Sequence, residues 1–404
     1  MESLVSIDAQ ARHCAVPDAS GALPLAATAR EVTSPRGSTV TWSADPQAYC
    51  SDHERATRRN FAERLAALKG LDFAGEHEPS GIYLRPLYVV PSDTLASAGI
   101  ARSLGIASLH DLFGGVVPHA FVATKAITHG IAGREAARPE GWSPSFAGRV
   151  SQSVLRGFSS FSHEDARWAG RRLLEAGPVR VKPVRATGGR GQRVAVSADA
   201  LDECLAEMDE AEIGEHGVVL EENLDRPVTF SVGQVTVGHS TLSYHGRQRL
   251  TRDNAGAEVY GGSDLTLVRG GFDMLLASTG LPPDLRLAID QAMRYHQAVI
   301  DCYPGFFASR VNYDVAQGVG ARCAWRSGVL EQSWRLGGAS GAELVALEHF
   351  GAEPACWCVQ ASTHEEYGEG VLAPPGAIVH YQGTDSRVGP LTKYALLTAH
   401  AHPT

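Results

Sequence analysis

The stretch that most restricts the fold is Pro178-Val179-Arg180-Val181-Lys182-Pro183, with Ala186-Thr187-Gly188-Gly189-Arg190-Gly191 close behind it. The first six residues predict a short strand that proline ends. Arg193-Val194-Ala195-Val196 resumes as a strand, so the glycines sit at the tip of a hairpin. Glycines there leave backbone N–H groups open and let the chain approach a polyanion closely. Lys182 adds a point charge suited to phosphate. On the glycines alone, a solvated hairpin beside a chance lysine is the ordinary reading.

Lysine is scarce, which gives each one weight. Only Lys69, Lys125, Lys182 and Lys393 occur among 36 basic residues; the rest are arginine. No lysine follows a glycine, so a Gly-Lys-Ser/Thr P-loop is excluded. A net charge of −9 argues against general nucleic-acid binding. No apolar run reaches the roughly 20 residues of a membrane helix. MESLVSIDAQ at the N-terminus has no basic-then-apolar pattern of a secretory signal. Seven cysteines, an odd number without CxxC spacing, point to a reducing cytoplasm. Cys356 and Cys358 read as two strand thiols on one face.

Strand and helix patterns alternate along the chain, which predicts an α/β protein. Residues 1–44 lack periodicity and read as an irregular arm. Residues 45–120 read as an N-terminal α/β domain. Within it a helix is expected from Asp45 to Gly70, started by Asp45-Pro46, with a strand over Tyr83–Val90 and a helix over Thr94–Leu104 closed by Gly105. Residues 121–225 read as a small lobe with its lead-in. Ser162 and Asp165 there form a capping box for a helix over 163–176 that Gly177 stops. Residues 226–404 read as a larger lobe and tail. It holds a strand over Thr229–Val237, a helix lined by Leu285, Ala288, Ile289, Ala292, His296 and Val299, and strands over Ser309–Val315 and Gly328–Ser333.

Three further pieces favour the phosphate reading. Val218-Val219-Leu220 runs into Glu221-Glu222-Asn223-Leu224, and an edge strand of this kind offers its backbone to adenine. Alternation puts Arg310, Asn312 and Asp314 on one strand face and Glu331, Ser333 and Arg335 on another. Oxygen ligands on neighbouring strands suit Mg²⁺ with bound phosphates, and the arginines suit a transferring phosphoryl group.

From about Lys125 to Gly338 the sequence resembles the ATP-grasp superfamily. The resemblance implies an ATP-grasp fold: the N-terminal α/β domain followed by two lobes with ATP between them. It implies that Lys125 and Lys182 hold the α/β-phosphates and that Thr187, Gly188, Gly189, Arg190 and Gly191 cover the β/γ end. Glu221, Glu222, Asn223 and Leu224 would hold adenine, with Asp225 standing in for the ribose-binding acid, since Val228 falls near that position. Asn312, Asp314, Glu331 and Ser333 would carry Mg²⁺; Asn312 and Ser333 depart from the family's usual ligands. Arg310 and Arg335 would stabilise the transferring group. The implied activity is ATP-dependent ligation of a carboxylate to an amine or thiol through an acylphosphate, with ADP and phosphate released. The partners would be small-molecule carboxylate and amine substrates, with a homodimer as the default state. A small-molecule kinase and a non-catalytic ATP-binding protein are the alternatives on the same scaffold.

Other residues carry less. Gly338-Ala339-Ser340 reads as a helix start capped by Ser340. His129, His239 and His245 have no metal spacing, and His400 and His402 read as a solvated tail. Arg247–Asp264 reads either as a surface loop or as an element closing over substrate through Arg247, Arg249 and Arg252. Lys69 and Lys393 are assigned to the surface.

Overall fold

The computed structural model describes residues 37–45, 51–185, 191–278 and 280–401. A parallel three-stranded sheet comes first, in the order Asp72–Glu76, Ser38–Trp42, Leu87–Pro91. Its central strand lies inside the segment expected to be an irregular arm; it is short, and a window of helical length misses it. The following helix spans Asp52–Lys69 and starts at Ser51 rather than at Asp45-Pro46. Ser51 accepts from the Glu54 N–H while the Glu54 carboxylate takes the Ser51 N–H. Gly70, at φ 65°, ends it in the left-handed conformation that glycine adopts freely. The expected helix over 94–104 shortens to Ala98–Ser103, capped by Ser97.

The small lobe is an antiparallel sheet of four strands in the order Gly157–Ser160, Val218–Glu222, Val179–Pro183, Arg193–Ala195. Helix His163–Leu174 packs on it and is capped by Ser162, as expected. The glycine-rich tip at 187–190 lies outside the described residues. Gly191 is described, exposed and at φ 67°.

Eight antiparallel strands form the large sheet. Their order is Trp325–Ser333, Arg310–Val319, Asp225–Val237, Ser240–Arg252, Glu258–Arg269, Cys358–Tyr367, Gly389–Ala401, Ile378–Asp385. Helix Pro283–Cys302 covers one face through Leu285, Ala288, Ile289, Ala292, Tyr295 and Val299. Fully burying an aliphatic side chain such as Ile289 or Val299 contributes about 1.5–3 kcal/mol. The other face carries helix Ser340–Ala352, and helix Asp52–Lys69 packs into the same core through Phe61 and Leu65. Arg64 forks onto Glu348 with two 2.7 Å bonds and ties those helices together. The N-terminal sheet is thereby anchored to the large lobe.

Several expectations fail here. Arg247–Asp264 is neither loop nor lid but most of a hairpin. Arg249 pairs with Asp264 at 2.7 Å and Arg252 donates to Gly256 O inside the turn. Frequent polar residues on its strands hid the alternation. Residues 389–401, read partly as a tail, pair on both sides within the sheet, His400 against Val359. Ser340 is not the cap of its helix; Ala339 holds that position, and the Ser340 hydroxyl accepts from the Gly337 N–H. Cys356 precedes its strand, and its thiol donates to Cys358 O. No helix among the described residues is long and apolar enough to cross a membrane.

Candidate functional site

A cleft of about 790 Å³ opens between the small lobe, the large sheet and the N-terminal domain. Its floor is the strand pair Arg310–Val319 and Trp325–Ser333. The register sets Asn312 opposite Ser333 and Asp314 opposite Glu331. Directly opposed residues of an antiparallel pair have Cβ atoms about 4.5–5.5 Å apart. Val311, Tyr313 and Val315 point into the core under the helix Pro283–Cys302, so the polar alternate residues face the cleft.

Asp314 is the most constrained of these groups. Its carboxylate accepts from Asn312 Nδ2, Gln248 Nε2 and the Ser231 hydroxyl, each at 3.1 Å. Burial first, and the facing Glu331 carboxylate second, outweigh those bonds and push the Asp314 carboxyl up to about 6. A divalent cation between the two carboxylates would relieve the repulsion, so the pair fits Mg²⁺. No group of three or more His, Cys, Asp or Glu suited to a metal occurs among the described residues. Asn312 has a different job from the one expected. Its Oδ1 lies 3.0 Å from the Tyr244 hydroxyl and its Nδ2 donates to Asp314, so it holds the Asp314 carboxylate in place. Ser333 lines the cleft.

Lys125 reaches Glu331 at 2.7 Å and is almost fully buried. Its backbone is held by the large lobe, because Gln332 Nε2 donates to Val122 O and Thr124 O. Ser159 donates to Ala126 O and His129 Nε2 lies 3.0 Å from Glu221, which tie the same segment to the small lobe. His129, read as an ordinary histidine, is thus part of the strut that spans the lobes.

The two arginines divide. Arg310 is buried and spent: Nε and Nη2 bond Glu343, and Nη1 donates to Arg335 O at 2.5 Å and more weakly to Ser333 O. Glu343 also lies 2.7 Å from the Tyr244 hydroxyl. Arg310 lines the cleft as well, and its bonds to Ser333 O and Arg335 O fix the chain as it leaves the strand that ends at Ser333. Arg335 lines the cleft and sits 3.4 Å from Asp93.

The small-lobe residues gather apart from that floor. Lys182 bonds Glu221 at 2.5 Å, and both are buried. Burial alone would raise the Glu221 carboxyl, but Lys182 and then His129 outweigh it and hold it below the ordinary range. Neither residue lines the cleft; Val184, Arg185 and His216 do so from this lobe. The strand Val218–Glu222 is interior to its sheet, not an edge, because Gly157–Ser160 took the place expected to be open. Glu222 N–H already donates to Arg156 O and Asn223 N–H to Pro178 O, so these two N–H groups are committed within the protein. Leu224 packs with Leu155 and Ala316. Asp225 is largely exposed beside Arg226 and does not line the cleft, and neither does Val228. Thr187, Gly188, Gly189 and Arg190 lie outside the described residues.

Gln248, Ser231, Tyr244 and Glu343 had no signal at all as site residues. Gln248 was hidden in the arginine-rich segment, and Glu343 sits in a helix 33 residues from its partner Arg310.

A family model described as "Protein of unknown function (DUF3182)" matches residues 41–395. No curated protein matches the sequence. Among solved structures, N5-carboxyaminoimidazole synthetase from Staphylococcus aureus, complexed with ADP, superposes with a TM-score of 0.51 at 10% identity, covering 90% of this chain and 94% of that one. The biotin carboxylase domain of 2-oxoglutarate carboxylase from Hydrogenobacter thermophilus gives 0.49 at 12%, covering 90% and 86%. Phosphoribosylamine–glycine ligase from Thermotoga maritima gives 0.45 at 14%, covering 91% and 92%. The first of these likenesses shows the fold: the chain has an α/β ATP-grasp fold.

Proposed function

We propose that the chain, which belongs to the family described as "Protein of unknown function (DUF3182)", is an ATP-dependent ligase joining a small carboxylic acid to an amine. The single observation that carries this reading is Asp314 facing Glu331 across paired strands, with Lys125 on Glu331 and Arg335 nearby in one cleft. ATP would lie between the lobes, as expected of the fold. Lys125 would leave Glu331 for the phosphates, freeing that carboxylate, with Asp314, for Mg²⁺. Bound Mg²⁺ would offset charge on the β- and γ-phosphate oxygens.

The γ-phosphorus would pass to a carboxylate oxygen as its bond to the β-bridging oxygen breaks, and ADP would leave with that electron pair. An amine would then attack the acyl carbon. The C–N bond forms, the amine loses a proton and phosphate departs. Arg335 supplies fixed positive charge for the transferring group and the tetrahedral adduct. Arg310 and Glu343 hold Arg335's backbone.

The test is incubation with ATP, Mg²⁺, a panel of acids and hydroxylamine. ADP, phosphate and a hydroxamate in equal amounts support the reading, and Asp314→Asn should abolish all three. AMP and pyrophosphate would overturn the mechanism. A stable phosphorylated product without hydroxamate would make the chain a kinase, and ATP binding indifferent to Mg²⁺ without turnover would make it a non-catalytic binder.

A further inference from the structure

In the parallel sheet of the first domain, Ser38–Trp42 lies between Asp72–Glu76 and Leu87–Pro91. Val89 pairs in parallel with Val40 on one side and meets Leu112 in parallel on the other. The chain therefore leaves Ser38–Trp42 toward one edge of the sheet and leaves Leu87–Pro91 toward the other. In open α/β sheets, ligands settle outside the carboxyl ends of two strands whose connections part in this way. Both ends open on the cleft here, through residues 42–45 and 92–96. They are pinned together: the Ser92 N–H donates to Trp42 O at 2.8 Å, and the Ser43 and Ser92 hydroxyls lie 2.9 Å apart.

Charge divides the cleft. The charged residues that the first domain adds to its lining are Asp45 and Asp93, both acidic. The lysine and arginine side chains of the lining, Lys125, Arg185, Arg310 and Arg335, come from other parts of the chain. Asp93 meets Arg335 at 3.4 Å where the two regions join. The Asp93 side chain is 52% exposed and Asp45 is exposed too, so a solute in the cleft reaches both carboxylates. Trp42, partly buried, adds an aromatic ring to the same wall. Carboxylates beside an aromatic ring attract an organic ammonium through charge and through the ring quadrupole.

Thr94 adds an acceptor. It is 8% exposed and lines the cleft. Its N–H donates to Asp93 Oδ1 at 2.7 Å, while its hydroxyl has no partner among the described residues. The unpartnered Thr39 hydroxyl is sealed from solvent; that of Thr94 is not, so it opens on the cleft. A hydroxyl so placed accepts from an N–H and can donate in return.

We propose that this wall is the subsite for the amine substrate, taken up as a primary ammonium ion. Asp45 and Asp93 supply the counter-charge, and Thr94 Oγ1 accepts one N–H. That the bound amine is a substrate rests on the ligase reading; the preference for an ammonium does not. The Asp93–Arg335 contact puts the amine beside the side chain assigned to the acylphosphate. The ammonium releases a proton to water before its nitrogen attacks.

The experiment titrates the full chain with ethanolamine and 1,4-diaminobutane by saturation-transfer NMR at fixed ionic strength. Ethylene glycol and 1,4-butanediol keep the size without the charge. Trinitrophenyl-ATP follows the nucleotide site separately. At least one amine should bind about tenfold more tightly than its diol. Asp45→Asn and Asp93→Asn should each weaken that amine about tenfold, and Thr94→Val about threefold, with nucleotide affinity unchanged. Thr94→Ser, which keeps the hydroxyl, should bind as the parent does. Asp199→Asn, exposed on the small lobe, should change nothing, which separates the subsite from the net charge of −9. Equal binding of amines and diols, binding untouched in the Asp45, Asp93 and Thr94→Val variants, or an equal loss in Asp199→Asn overturns the proposal. So does a chain that binds none of the amines; if it still forms hydroxamate from ATP, the ligase reading survives that failure. Amine binding through Asp45 and Asp93 in a chain that forms no hydroxamate leaves the subsite standing and sinks the ligase reading instead.

Discussion

Asp314 and Glu331 oppose each other on paired antiparallel strands, and Asp314 is pushed up to about 6 by burial and by that facing charge. Like charges directly opposite weaken a sheet. The fold therefore holds an unfavourable pair in its cleft.

Proton linkage gives the first test. The raised value means that the native chain holds this proton more tightly than the unfolded chain, whose ordinary value is 3.8. Stability from this group is fully present below about pH 4 and falls as pH rises toward about 6. Asp314→Asn should therefore raise the melting temperature at about pH 7.5, and the gain should vanish near pH 4. A gain that does not depend on pH would mean that the carboxyl is not held protonated.

Lys182 and Glu221 make the second. Both are nearly inaccessible, and Lys182→Ala would leave Glu221 buried with His129 alone. Breaking a buried pair from one side costs about 3–5 kcal/mol. Urea unfolding should show a loss of that order for Lys182→Ala, and a smaller loss once Glu221→Gln is added. Equal losses in the single and double variants would contradict the pairing.

Arg310 and Glu343 make the third, with exposures of 1% and 0%. Arg310→Ala should cost about 3–5 kcal/mol, and Arg310→Met with Glu343→Gln should recover much of it. Loss of turnover in the double variant with stability intact would restore a catalytic role to Arg310.

The fourth concerns Gly233, on the strand Asp225–Val237 and opposite Asn312. A Cβ there would stand 2.3 Å from the Tyr244 ring and 2.6 Å from Val311 O. Gly233→Ala should displace Tyr244, cost about 1–3 kcal/mol as overpacking does, and loosen Asn312. Calorimetry showing unchanged stability would mean that the ring has room to move.

Local pattern made much of the site legible. Alternation put Asn312, Asp314, Glu331 and Ser333 toward one side because a strand's side chains reverse at every residue. Scarcity marked Lys125, which lines the cleft, because arginine had replaced lysine almost everywhere else. The Ser162 box and the apolar stripe from Leu285 to Val299 fixed two helices, since caps and periods of 3.6 are local properties.

What the chain could not announce was partnership. Glu221 read as a hinge residue, with no sign that a neighbouring strand closes over it and that it bonds Lys182 and His129. Arg310 read as catalytic with no sign of its buried partner Glu343, which lies 33 residues further along the chain. Lys393 read as surface until the last strands and the helix Asp52–Lys69 enclosed it beside His380. Residue type and period are written in sequence. Whether a charge stays available or is spent on a neighbour depends on long-range packing, and only the tertiary structure decides that.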